Sequence, residues 1–118
     1  MKVSRILGTG SYLPPKVWKN DDLRSLMETS DEWIVQRTGI KQRHWVDQDS
    51  NACTSDLAVE AAQRALASAG VDKSEIDRSI RATRSPDHEF TGTACFFQAK
   101  MEMPGIPASE TRAMRAPA

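Results

Sequence analysis

The chain has 118 residues, with sixteen Lys and Arg against sixteen Asp and Glu and a formal net charge of +0. That balance offers no broad attraction to nucleic acid or to an anionic membrane, and two cysteines exclude a disulfide scaffold. Apolar residues make up 39% and charged residues 27%, which is lean for a globular core yet too apolar for a disordered tail. The opening residues hold only a short apolar stretch, and no run approaches the ~20 apolar residues of a membrane span. The expectation is a cytoplasmic protein with no membrane and no nucleic-acid partner.

Residues 3–7 contain Val3, Ile6 and Leu7 and predict a strand, ending in the turn-prone Gly8-Thr9-Gly10-Ser11. Pro14-Pro15 then forbids regular structure for a few residues. Asn20 is a good N-cap for a short helix over 21–28, with Leu23, Leu26 and Met27 on one face. Ser30 caps a second helix, Asp31–Thr38, which Gly39 ends. Residues 40–46 alternate partly and read as a strand or extended loop.

Residues 56–69 are the clearest helix. Ala58, Ala61, Ala62, Ala65, Leu66 and Ala69 form one apolar stripe, small enough for close approach to a sheet or another helix. Gly70 supplies the stop, and residues 74–77 read as a single helical turn. Residues 78–84 predict a poor strand, because Arg78, Arg81 and Arg84 surround one large aliphatic residue, Ile80. On a strand at least one arginine points inward, and an unpaired buried charge is costly. Residues 91–103 predict a helix with Ala94, Phe97 and Met101 on one face, ended by Pro104-Gly105. From Ile106 onward there is no reliable period. The order is roughly β-α-α-β-α-β-α-(β), an α/β chain with a mostly parallel sheet.

Gly8-Thr9-Gly10 invites a dinucleotide reading, but Leu13 stands where a third glycine is needed and prolines follow, so a tight turn is preferred. Nothing in the spacing pairs Cys53 or Cys95 with His44 or His88 as a nucleophile and base. Cys95 reads as a small buried thiol inside an apolar helix, and Cys53 lies near a helix start. No spacing resembles a metal site. Trp33 and Arg37 are four apart and share a helix face. An indole beside a guanidinium can stack on a base and pair with phosphate, and Lys41 and Arg43 add charge just beyond. The alternative is a core tryptophan covered by an arginine.

Several ordered blocks resemble the β-ketoacyl-acyl-carrier-protein synthase III family. They are Ile6-Leu7-Gly8-Thr9-Gly10-Ser11-Tyr12-Leu13-Pro14, Thr29-Ser30-Asp31-Glu32-Trp33-Ile34-Val35-Gln36-Arg37-Thr38-Gly39-Ile40, Ser55-Asp56-Leu57-Ala58-Val59-Glu60-Ala61-Ala62 and Ser85-Pro86-Asp87-His88-Glu89-Phe90. Thr93-Ala94-Cys95 and Gln98-Ala99-Lys100 continue the series. The resemblance implies a partial thiolase-like fold: an incomplete N-terminal half over residues 1–118, with a mostly parallel or mixed sheet and flanking helices. It implies an acyltransferase that starts type II fatty-acid synthesis from acyl-CoA and malonyl-acyl-carrier protein by decarboxylative Claisen condensation. The implied partners are acyl-CoA, acyl-carrier protein and a second copy of the chain, and no cofactor is implied.

By the same resemblance, Trp33 matches the tryptophan that stacks on the CoA adenine. Arg37 matches the arginine on the CoA nucleotide, and Thr29 a threonine beside it. Phe90 resembles the phenylalanine near the acyl pocket across the dimer interface. The departures are as specific. Arg115 stands where the nucleophilic cysteine belongs, and neither Cys53 nor Cys95 matches it. The strand before Ser85 carries Arg78 and Arg81 where the family has aliphatics, and Arg84 occupies a position that in the family faces the active site and is usually small or polar. The second half, with the family's His and Asn, lies beyond this sequence. The expectation is a truncated N-terminal portion without condensing activity by itself. The alternatives are a non-catalytic CoA-binding module or a partner of a full-length synthase.

Overall fold

The computed structural model describes residues 3–47, 49–88 and 90–111. They form two compact units, one of Leu13–Asn51 and one of Met1–Tyr12 with Ala52–Ala118.

In the first unit, β1 (Lys16–Lys19) pairs antiparallel with β2 (Gln42–Trp45) in a two-stranded sheet. The ladder starts directly after Pro14-Pro15, which cannot donate to it. Between the strands lie a 3-10 turn, Asp21–Ser25, and helix α1, Asp31–Thr38. The Ser30 hydroxyl accepts from the Trp33 amide at 3.2 Å, and Gly39 closes α1 with φ 70°, a left-handed conformation that glycine takes at little cost. The helix expected over 21–28 is only that turn. Asn20 makes no cap with its side chain. Its amide instead donates to Asp31 Oδ1 and to the Ile40 carbonyl, both at 2.7 Å, and its oxygen accepts from Arg43. Leu23 is buried, while Leu26 and Met27 are exposed, so no continuous apolar face exists to sustain a longer helix.

The second unit contains helix α2 (Thr54–Ala69), strand β3 (Ser79–Ala82), helix α3 (Thr93–Met101) and strand β4 (Ala108–Thr111). The helical turn after α2 is Lys73–Glu75. Strands β3 and β4 pair in parallel, so β3-α3-β4 is a crossover unit with α3 as the connection. The strand without large aliphatics, Ala108–Thr111, forms because β3 supplies its ladder. The core is Phe97, Met101 and Met103, against which Ala58, Ala62, Leu66 and Ile106 pack. The predicted face of α3 is therefore the buried one.

Residues 3–7 form no ladder among the described residues. They are exposed, because apolar composition alone makes no strand without an edge to pair with. Ile6 and Leu7 instead border an open trough of about 380 Å³ with Ala62, Leu66, Ile80 and Phe97. Gly8 and Gly10 explain how this segment reaches α2. A Cβ on Gly8 would lie 2.6 Å from the Ala69 amide nitrogen, and one on Gly10 would collide with Ala65 N and Ala61 O. The glycine pair is a close backbone contact with the alanine stripe rather than only a turn.

Strand β3 inverts the usual pattern. Ile80 is 69% exposed, whereas the neighbouring Arg81 is half-buried. The Arg81 guanidinium lies 3.0 Å from the centroid of the Phe97 ring, and its register partner on β4 is Glu110. Burial pushes the Arg81 pKa down and the Glu110 carboxylate opposes this. Glu110 Oε2 also accepts from the Ala94 amide at 3.1 Å, in the first turn of α3, where negative charge is favoured. Arg78 and Arg84 are exposed.

Candidate functional site

The candidate site lies on α1, within the Leu13–Asn51 unit. Trp33 is 53% exposed, so the reading of a covered core tryptophan fails. Its remaining surface is lined by Arg37, whose guanidinium carbon stands 4.6 Å from the ring centroid. The i,i+4 spacing brings the two together on one helix face. The hydrophobic contact of α1 is made by Ile34 on another face, which leaves Trp33 to solvent.

Beside Trp33 lies an open depression of about 510 Å³ lined by Arg24, Glu28, Thr29, Ser30 and Trp33. The Thr29 hydroxyl is buried there and has no hydrogen-bond partner among the described residues. An unpaired buried hydroxyl costs about 1–3 kcal/mol, and a ligand atom that bonds to it recovers that cost. Asp31 and Glu32 occupy the first turn of α1, so the helix N-terminus is already neutralised and offers no phosphate cradle of its own. The cations available to an anionic ligand are Arg37 and Arg24. Arg24 is held only loosely by Asp21 at 3.7 Å, with both side chains exposed. Lys41 is exposed just beyond α1. Arg43, expected to extend this positive patch, does not: it is half-buried and donates to Asn20 Oδ1 at 2.5 Å.

The other candidates from the sequence are placed as follows. Phe90 is fully exposed. Cys95 is exposed, not buried, because α3 turns Thr93, Ala94, Phe97 and Met101 inward and this position outward. Cys53 is exposed at the N-cap position of α2, where its amide donates to Asp56 Oδ2 at 2.8 Å. His88 packs its ring against Phe96, with centroids 4.9 Å apart. His44 Nδ1 lies 2.6 Å from the Pro14 carbonyl oxygen. Arg115 lies outside the described residues. Among the described residues, no group of three or more His, Cys, Asp or Glu could hold a metal ion. No helix there is long and apolar enough to cross a membrane.

One cluster had no signature in the sequence. Lys100 Nζ lies 2.8 Å from Ser55 Oγ and 2.5 Å from Asp56 Oδ1, and the Ser55 amide donates to Asp87 Oδ1 at 3.0 Å. Ser55 is wholly buried. A serine bonded to a lysine invites a nucleophile–base reading. The electrostatics reject it. The hydrogen bond to Asp56 raises the Lys100 pKa, and Lys100 lowers that of Asp56. An ammonium held protonated takes no proton from a hydroxyl. The cluster is a brace between α2 and α3, and the residues sit 45 positions apart in the chain.

No protein-family model matches the chain. Individual relatives do. The chain is 56% identical over 101 residues to the β-ketoacyl-[acyl-carrier-protein] synthase III of Ehrlichia canis, covering 86% of this chain and 31% of that one. It is 49% identical over 110 residues to β-ketoacyl-[acyl-carrier-protein] synthase III 1 of Vibrio parahaemolyticus, covering 93% and 34%. Among solved structures, 3-oxoacyl-[acyl-carrier-protein] synthase III from Aquifex aeolicus superposes with a TM-score of 0.81 at 41% identity, covering 92% of this chain and 34% of that one. The chain thus spans about a third of the length of the relatives it matches.

Proposed function

We infer that this chain, which belongs by sequence and fold to the β-ketoacyl-[acyl-carrier-protein] synthase III family, supplies the CoA-binding face of an acyltransferase that starts fatty-acid chains. The observation that carries this reading is the exposed Trp33 with Arg37 stacked on it at 4.6 Å, beside the unpartnered Thr29 hydroxyl. A purine stacks on the indole, the guanidinium pairs with phosphate oxygens, and the hydroxyl of Thr29 bonds to a polar atom of the base. Each group does something that a merely structural surface does not need.

In that reaction the acyl group of acyl-CoA passes to a thiolate and CoA leaves as its thiol. Malonyl-acyl-carrier protein then loses CO₂, and the carbanion attacks the thioester carbonyl, breaking its C–S bond to release the thiolate and give a 3-ketoacyl-carrier protein. The described residues of this chain bind and orient the nucleotide end of the donor. Neither Cys53 nor Cys95 stands at the family's nucleophile position, so the chain by itself binds without condensing. Phe90, fully exposed, is assigned to the acyl pocket at a contact with a second copy of the chain. The setting is the cytoplasm.

A second reading, a CoA-binding module without chemistry, is favoured by one observation: Thr29, Trp33 and Arg37 all belong to the Leu13–Asn51 unit. Calorimetry with CoA tests both readings. Saturable binding is expected, weakened about tenfold to a hundredfold by Trp33→Ala, since a stacked base is worth about 1–3 kcal/mol. Transfer of a labelled acetyl group to the chain is expected to be absent. Its appearance would overturn the binding-only assignment, and a lack of CoA binding would overturn the site.

A further inference from the structure

The hairpin of the Leu13–Asn51 unit carries a second built feature that the CoA reading does not use. The register sets Lys16 opposite Trp45 and Trp18 opposite Arg43. Alternation along each strand then puts all four residues on one face. The two indoles meet with centroids 5.4 Å apart and planes inclined by 33°. They wall a partly enclosed cavity of about 230 Å³, which Leu26, Asp47, Asp49 and Lys16 complete.

The chain itself shows which charge this wall accepts. The Lys16 ammonium lies 5.9 Å from the centroid of the Trp18 ring and 3.0 Å from Asp47 Oδ1. An indole face and a carboxylate together make a cation receptor, because the ring quadrupole and the negative charge both favour an ammonium over its hydrated state. Arg43 shares the face but is turned to Asn20, so it does not fill the cavity. Among the described residues the charged lining is Asp47, Asp49 and Lys16, an acidic-rich set that suits a cation better than a phosphate or carboxylate. The apolar walls of Trp18, Trp45 and Leu26 suit methyl or methylene groups on the cation.

We propose that this cavity binds a small organic ammonium ion, with quaternary methylammonium as the best match. The ion lies against Trp18 and Trp45, with Asp47 and Asp49 supplying the charge. Lys16 acts as an internal competitor, since its ammonium holds the same ring and the same carboxylate.

The test is a titration of the full chain with tetramethylammonium chloride, followed through the indole N–H signals in a ¹H–¹⁵N correlation spectrum, with sodium chloride at matched ionic strength as the control. The Trp18 and Trp45 signals should shift saturably, with a dissociation constant of about a millimolar, while Trp33 stays still. Lys16→Met should tighten binding about fivefold by removing the competing ammonium. A gain of that kind cannot come from unfolding. Trp45→Leu should abolish the shift at Trp18. The proposal falls if sodium gives the same shifts, if Lys16→Met weakens binding, or if Trp33 alone responds.

Discussion

Replacing Arg81 by leucine should stabilise the protein, although it removes a cross-strand charge pair. The guanidinium is half-buried over Phe97, and its Nε is buried without a partner among the described residues. Leaving such a donor unpaired costs about 1–3 kcal/mol. Two terms oppose that cost. The contact with the Phe97 ring contributes about 0.5–1 kcal/mol at a partly exposed site. The attraction of Glu110 contributes about 0–1 kcal/mol, because solvent screens a half-exposed pair. Glu110 is not stranded by the change, since it still accepts from the Ala94 amide. The leucine adds apolar contact to the core of Phe97 and Met101. The net gain is about 1 kcal/mol, which for a chain of this size raises the thermal midpoint by about 4 °C. The assay is a thermal melt followed by far-UV circular dichroism, with Arg78→Leu, at an exposed position, as the control expected to move little. A fall of several degrees for Arg81→Leu would show that the arginine is a net stabiliser and would refute the reasoning.

Other changes follow from the same geometry. Gly10→Ala should destabilise by about 1–3 kcal/mol, because the added methyl meets the backbone of α2 at Ala65 and Ala61, which cannot rotate away; urea denaturation reads the loss directly. Asn20→Ala removes three hydrogen bonds at once, to Asp31, Ile40 and Arg43, and should cost about 2–3 kcal/mol together with faster amide exchange in β1 and β2. The Asp56–Lys100 brace predicts a pH signature. Asp56 is lowered from 3.8, so its contribution is present above that value and is lost as the pH falls through its depressed folded pKa. Lys100 is raised from 10.5, so its contribution is full below that value and is lost as the pH climbs through its elevated folded pKa. The stability difference between the parent and Lys100→Met should therefore be flat in between and narrow at both extremes. A difference that stays constant through the acid limb would show that the brace is not electrostatic.

Local signals in the sequence carried α1, α2 and α3 well, because each has its own evidence: the Ser30 cap and Gly39 stop, the alanine stripe, and the spacing of Ala94, Phe97 and Met101. Strands fared worse, for a physical reason. A strand is stabilised by its neighbour, and neither Lys-Val-Trp-Lys at β1 nor Ala-Ser-Glu-Thr at β4 advertises one. Residues 3–7 show the converse, since they have strand composition and no ladder. The inward arginine was legible from alternation, but its partners were not. Glu110 lies 29 positions further on, paired through parallel register that only the crossover at α3 creates. The Trp33–Arg37 pair was visible as spacing, yet spacing cannot distinguish a covered core residue from a solvent-facing platform. Exposure decides that, and it follows from Ile34 taking the buried face of α1. Arg43 failed as a functional residue because Asn20, far away in sequence, claims it.

The central claim is that α1 presents Trp33 and Arg37 to the nucleotide of CoA. Dividing the ligand tests it most directly. Calorimetry on the full chain should show that the nucleotide end of CoA alone binds about as well as CoA itself, while pantetheine alone does not bind. Trp33→Ala should weaken the nucleotide's binding about tenfold to a hundredfold, and Arg37→Ala should weaken it as well. Binding of pantetheine without the nucleotide, or nucleotide binding left unchanged by both substitutions, would contradict the account.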